Sequence, residues 1–534
     1  MNKKSKHNQN QVHKAIPFKT AGWAFYSVLV ALMLLFAIYT ATKFPYTYIT
    51  MEGDDFWLPT QDFWQLKLAT LPAVAQWLAD FLMQFYGSPF VAASVGAFVL
   101  GAIGLLAKQT LSWLALLPPV VLGFFCTFSL SFQLQWLFFF LLLNPFVIKG
   151  FKERLLWSLL CIPMGFFLMR TPLLALLVVV QAALAFKDFG AKKCACWLAP
   201  LALLGVAPLV YSQQVAFIPF EERYTAFGTY FDPLTSHYNS DGEYVKKLVC
   251  LANEERWEDI LYKEHIKGDA RRGNSVALRY ALLAESALGT LPENLFDYPI
   301  REENQFYYQH ETEYVASQFN RLFYLNLGIY DEAYHHAQEY GLLQSSGNCF
   351  ASLRQMADYS IEEGDFETAK KLLEVLSKSC CHKTFVEERR KKLTDKPPLH
   401  FPRGGGSPPL NLPEGRLAAA KSSPPRGRWR GVLNSKLIKS VPLRADNFVG
   451  GFPLPIEMLR LARYYGNCPQ QKKMLDYAIC SYMLRGDTER FLIATKAFDI
   501  YKNRELPKAY REFMERYAST ASTTSSVSNP RERR

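Results

Sequence analysis

Apolar positions in the first 212 residues follow neither the two-residue period of a half-buried strand nor the one-sided period of a surface helix. They run in continuous blocks separated by short polar gaps. The first block, Gly22–Ala41, holds 20 residues, enough to cross a hydrocarbon core of about 30 Å at 1.5 Å per residue. Further blocks fall at Val91–Leu106, Leu111–Thr127, Ser131–Val147, Leu155–Leu168, Pro172–Ala185 and Trp197–Val210, and together they predict seven crossings. The first block is longer than the apolar core of a secretory signal, and Thr40-Ala41-Thr42-Lys43 is a poor cleavage site, so the block reads as a retained signal anchor. The segment 69–86 differs. Gln76, Asp80 and Gln84 recur at i, i+4 and i+8, ringed by Trp77, Leu78, Phe81, Leu82 and Phe85, and Gly87 and Pro89 stop the helix. A narrow polar stripe of this kind predicts an in-plane, interfacial helix.

The gaps carry a charge code. With the tail 1–21 (Lys3, Lys4, Lys6, Lys14, Lys19) in the cytoplasm, the cytoplasmic gaps hold Lys108, then Lys149, Lys152 and Arg154, then Lys187, Lys192 and Lys193. The outer gaps hold Glu52, Asp54, Asp55 and Asp62 in the first, almost nothing in the second, and Arg170 in the third. This positive-inside pattern predicts a bacterial inner-membrane protein with a cytoplasmic N-terminus and an extracytoplasmic C-terminal half.

The second half, from residue 213, has ordinary soluble composition and no convincing strand pattern. Phe319–Tyr340 and Leu353–Leu376 each show a Gly, an aromatic residue two positions on and an Ala three further. The sets Gly328, Tyr330, Ala333 and Gly364, Phe366, Ala369 are 36 residues apart. Glycine lets the chain leave one helix, and alanine allows the next to pack closely. Looser echoes occur at Trp257–Ile260, Gly289–Leu295 and Gly486–Phe491. At these residues the chain resembles degenerate tetratricopeptide repeats, which recur at about 34 residues. The resemblance implies helical hairpins over 213–395, continued over 433–518. Between them, 396–432 is too rich in Pro, Gly and Arg for a core and predicts a disordered insertion, and 519–534 a disordered tail. The predicted fold class is all-α: a multipass membrane domain over 22–212, with outer loop 43–68 and helix 69–86, followed by a soluble helical-repeat domain.

The formal charge of +12 comes largely from the N-terminal tail and from Arg403, Arg416, Lys421, Arg426, Arg428 and Arg430 in the insertion. A cytoplasmic flank and a solvated segment account for both clusters, so nucleic acid is not an expected partner. No phosphate-cradling Gly loop, paired-Cys zinc spacing or HExxH sequence occurs. His335 and His336 on a repeat helix read as surface or packing residues. The six cysteines of the second half, Cys250, Cys349, Cys380, Cys381, Cys468 and Cys480, permit disulfides without fixing any pairing.

The constellation with most chemical content is the first outer loop, where Glu52, Asp54 and Asp55 follow the first crossing and Arg170 stands on the same predicted face. Carboxylates there are candidate bases or ligands of a divalent metal, and Arg170 is a candidate grip for a lipid phosphate. This layout over residues 20–212 looks like the module of C-superfamily membrane glycosyltransferases. That resemblance implies catalysis by one of Glu52, Asp54 and Asp55, with a polyprenyl-phosphate-linked sugar as donor and Arg170 on its phosphate. The whole chain, through its acidic outer loop, WLADFLMQFYGSP, LGIYDEA and GDFETAKKLLEVL, is similar to an uncharacterised family of bacterial multipass inner-membrane proteins with a helical C-terminal half. Two expectations stand: a bilayer-embedded protein presenting a helical-repeat domain to a protein partner or, alternatively, a glycosyltransferase-like enzyme.

Overall fold

Helix accounts for the regular structure throughout the described residues of the computed structural model, and no strand occurs among them. Those residues are 21–68, 72–125, 128–148, 150–190, 195–211, 240–309, 314–344, 347–395, 453–465, 469–497 and 505–516. The basic N-terminal tail, the insertion 396–432, the C-terminal tail, Lys149, Lys192, Lys193 and Cys468 lie outside them. The chain divides into two compact units: Met1–Glu52 with Trp57–Ser240, and Gly53–Phe56 with Asp241–Arg534.

The first unit contains α1 (Ala21–Lys43), α2 (Pro45–Asp54, whose last two residues pass into the second unit), α3 (Gln61–Leu68), α4 (Ala73–Met83), α5 (Pro89–Leu111), α6 (Leu117–Phe125), α7 (Leu130–Ile148), α8 (Phe151–Leu168), α9 (Thr171–Phe189) and α10 (Leu198–Tyr211). Among the described residues, four stretches are long and apolar enough to cross a membrane: Trp23–Lys43, Pro89–Gly123, Leu130–Val147 and Thr171–Phe189. Their outward faces carry large apolar side chains, among them Leu35 at 65% and Phe98 at 78% exposure. In water such a belt would be a severe liability; lipid is the solvent that fits it. The stretch Pro89–Gly123 is not one rod. Ser112 takes a positive φ of 54° at the end of α5, a short 3-10 turn follows, and α6 returns along α5. A methyl group at Gly104 would stand 3.3 Å from Pro119, and one at Gly123 would stand 3.4 Å from Leu100. The same glycine ridge receives α1, since Gly101 faces Met33 and Gly104 faces Leu29. Small residues therefore let the backbones approach where lipid offers no hydrophobic drive.

Polar contacts fix the directions of the remaining helices. Asn144 Nδ2 donates to the Leu106 carbonyl at 3.0 Å, which sets the ends of α7 and α5 side by side. Arg154 at the start of α8 pairs with Asp188 at the end of α9 at 2.6 Å and donates to the Val147 carbonyl at 2.9 Å. Between α8 and α9, the Ser158 hydroxyl donates to Gln181 Oε1 at 2.8 Å, and the indole of Trp197, just before α10, donates to Ser158 Oγ at 3.2 Å. The Lys108 ammonium lies 3.8 Å from the centre of the Tyr26 ring. Successive apolar helices thus alternate in direction, and Lys108, Lys152, Arg154 and Lys187 gather at one end of the bundle.

The second unit begins with α11 (Ser240–Asn253), α12 (Ile266–Arg271), α13 (Ser275–Leu288) and α14 (Leu291–Asn294). It continues through α15 (Tyr314–Leu327), α16 (Tyr330–Leu342), α17 (Phe350–Glu363), α18 (Phe366–Ser377) and α19 (Lys383–Asp395), then α20 (Pro455–Tyr465), α21 (Pro469–Leu484) and α22 (Thr488–Ala497). The helical hairpins fall where the Gly–aromatic–Ala sets place them. Gly328 and Gly364 adopt φ of 75° and 81° between helices, a region only glycine enters freely, and Ala333 and Ala369 are fully buried. Helices α15 to α19 pack each on the next. The helices after residue 453 do not extend that row. α21 returns to α13, α14 and α15, where Lys472 donates to the Gly289 carbonyl at 3.0 Å and Lys473 to Asn326 Oδ1 at 2.8 Å. α15 is largely buried, and Ser317, Gln318, Asn320 and Arg321 are buried with its apolar residues.

Candidate functional site

The segment Gly53–Phe56 belongs to the second unit although α11, the first helix of that unit, begins almost 190 residues later. It forms an acidic strap seated on α16 and α17. Gly53 comes first because nothing larger fits easily: a Cβ there would stand 3.1 Å from Ala351 Cβ and 3.5 Å from Arg354 Nη2. Asp54 follows, and its carboxylate accepts a hydrogen bond from the Tyr340 hydroxyl at the end of α16. The Asp55 carbonyl accepts from the Phe350 N–H at 2.9 Å. That N–H is the first of α17, one of the donors that a helix start leaves without an intrahelical partner. Phe56 closes the strap with its ring 5.5 Å from that of Phe350, which in turn stands 4.2 Å from the His382 ring.

The negative field of Asp54 is felt on three helices. On α11, burial lowers the Lys246 pKa while Asp54 and Glu243 oppose the shift. Burial pushes the Cys250 thiol up to about 12, with Glu254, Glu243 and Asp54 adding to it. At the start of α17, burial also pushes the Cys349 thiol up to about 12, aided by Asp54 and opposed by the Ser352 N–H. On α15, Tyr314 is raised well above its ordinary value, by burial first and then by Asp54. Thiols react as thiolates, so at pH 8 the native protein is expected to take up maleimide at the exposed Cys380 and Cys381 and not at the buried Cys349 or the half-buried Cys250. Mass spectrometry before and after denaturation checks this, and rapid native labelling of Cys349 would contradict the seated strap.

The four residues singled out from sequence are divided between the two units. Asp54 and Asp55 share the strap but turn to different partners. Glu52 is half-buried in the first unit. Arg170 also lies there as the residue capping the start of α9, where its backbone N–H donates to Gln135 Oε1 at 3.0 Å. No group of three or more His, Cys, Asp or Glu that could hold a metal ion occurs among the described residues.

Sequence reasoning missed an ion pair in the first unit. Asp80 and Gln84, two members of the polar stripe of α4, are buried rather than turned to an interface, and Lys67 Nζ of α3 meets the Asp80 carboxylate at 2.6 Å. Tryptophans surround the pair's helices: Trp57 stands 5.5 Å from Trp77 and 5.1 Å from Phe81, and Trp64 stands 5.8 Å from Trp77. The available signal was that Lys67 is the only basic residue between Lys43 and Lys108. A cation in an otherwise acidic stretch implies a specific counter-charge.

These features define an all-helical protein with membrane-length apolar helices in its N-terminal unit and a helical-hairpin C-terminal unit. The chain belongs to the DUF6057 family, a family of unknown function, whose model matches residues 19–400. No curated protein and no solved structure matches it.

Proposed function

We propose that the protein spans the bacterial inner membrane seven times and presents its second unit on the extracytoplasmic side, where the helical hairpins, a degenerate tetratricopeptide-like array, bind a protein partner. One observation carries this reading. Gly53–Phe56 and Asp241–Arg534 form a single compact unit, so both pieces occupy one compartment, and the chain between them crosses the membrane an even number of times. The alternating helix directions support six such crossings after α1, and the basic end of the bundle supports the orientation. Helical arrays suit partner binding because they offer extended surfaces built from repeated hairpins.

Cysteine labelling in intact cells tests the reading. In a Cys-free background, Glu367→Cys lies on an exposed position of α18, and Lys152→Cys and Lys187→Cys lie at the basic end. An impermeant maleimide is expected to label the first and spare the other two until the cells are opened. The reverse pattern would put the second unit in the cytoplasm and end the proposal. The glycosyltransferase alternative rests on Glu52, Asp54 or Asp55 as the acid, with a lipid-linked sugar and Arg170. It is disfavoured by the engagement of Asp54 with Tyr340 inside the helical unit.

A further inference from the structure

We infer that the face formed by the end of α16 and the start of α17 is a recognition site for a short acidic–aromatic peptide, in which Gly53–Phe56 is the chain's own resident ligand. A partner segment of the same chemistry exchanges with it. This rests on the partner-binding reading and names the partner's class.

The contacts are those of a bound peptide, each selecting one position. The close approach to Ala351 selects glycine. The Tyr340 hydroxyl selects a hydrogen-bond acceptor at the next position, and a carboxylate accepts most strongly. The Phe350 N–H reads only main chain, through the third residue's carbonyl. The Phe350 ring selects an aromatic side chain at the fourth. The site also favours negative charge. Burial disfavours the charged form of Lys246, and the Asp54 carboxylate is first among the groups that oppose that shift, ahead of Glu243. The receptor helices are held without the strap, since α16 and α17 pack on each other and on α15 and α18. Their contact includes the Ser352 hydroxyl donating to the Ala337 carbonyl at 2.6 Å. A preformed seat filled by four residues from a distant part of the chain is an intramolecular complex, and such complexes yield to a competitor once the tether's advantage is removed.

The test uses the full-length protein in detergent and a fluorescent acetyl-Glu-Gly-Asp-Asp-Phe-Trp-amide peptide, the sequence of residues 52–57. Three forms are compared by anisotropy: native; strap-released Asp54→Asn/Phe56→Ala; and strap-locked Gly53→Cys/Ala351→Cys after oxidation. The Cβ separation of 3.1 Å at the locked pair is a few tenths of an ångström short of the usual disulfide span of about 3.5–4.5 Å. The released form is expected to bind at least tenfold more tightly than the native one. The locked form is expected not to bind until the disulfide is reduced, and a peptide with both aspartates changed to asparagine to bind at least tenfold more weakly. Equal binding to locked and released forms would place the peptide elsewhere. Absence of binding to a released form with native circular dichroism would make the strap a structural brace only, and either result overturns the inference. Should the double variant fail to fold, Phe56→Ala alone and reduction of the locked form supply the same comparison. The labelling in cells described above does not depend on any of these outcomes, so the two proposals fail separately.

Discussion

Replacing Asp80 with leucine is expected to destabilise the first unit by about 3–5 kcal/mol, because it strands the Lys67 ammonium in an apolar surrounding without its counter-charge. The side chains of Lys67 and Asp80 are 3% and 10% exposed, and their 2.6 Å contact bridges α3 and α4. Lys67→Met should cost a similar amount by stranding the carboxylate. The combined Lys67→Met/Asp80→Leu variant should recover most of the loss, since a buried ion pair is worth little more than apolar side chains of equal volume. Thermal unfolding of the three purified variants in one detergent, followed by size-exclusion chromatography, reads the outcome. A double variant no better than either single one would mean that the pair does more than neutralise itself.

The second large effect is expected at Arg321, in the largely buried helix α15. Its guanidinium is 1% exposed and donates to Tyr359 Oη at 2.6 Å, Asn253 Oδ1 at 2.6 Å and Gln318 Oε1 at 3.2 Å. One planar fork therefore ties α15 to α11 and α17. Arg321→Met would leave the buried Tyr359 Oη and Gln318 Oε1 without this donor, while the exposed Asn253 turns to water, a loss of about 2–4 kcal/mol at roughly 1–3 kcal/mol each, after partial relaxation. For a domain of this size that corresponds to a drop of about 10 °C in melting temperature. Arg321→Lys should fare little better, because one ammonium cannot reach partners on three helices in the geometry of a guanidinium. Melting curves by circular dichroism at matched detergent and protein concentration decide the point. A shift below 2 °C for Arg321→Met would show that water replaces the guanidinium, and that α15 is less enclosed than its burial indicates.

The two units were legible in the sequence to different depths. Continuous apolar runs can satisfy their backbone only as helices in lipid, so the apolar helices of the N-terminal unit followed directly from the pattern. The Gly–aromatic–Ala sets located the hairpins at Gly328 and Gly364 because both requirements, a positive φ and a close helix approach, act within a few residues. Chain-local physics of this kind is what the sequence by itself determined. Partnerships across long separations were not legible. Gln318, Asn320 and Arg321 are buried in α15, where Asn320 pairs with the Tyr308 backbone and Arg321 holds Gln318 on its own helix while reaching Asn253 of α11 and Tyr359 of α17. The polar stripe of α4 implied an interface, but Asp80 turns inward because Lys67 supplies the charge that makes burial tolerable. The acidic strap is the furthest case. Asp54 and Asp55 read as outer-loop residues, yet Tyr340, nearly 300 residues away, binds the Asp54 carboxylate and the Phe350 N–H the Asp55 backbone carbonyl. Only the tertiary structure decided these pairings, because a polar group's lowest free energy depends on which donors and charges the fold brings to it, and no periodicity records that.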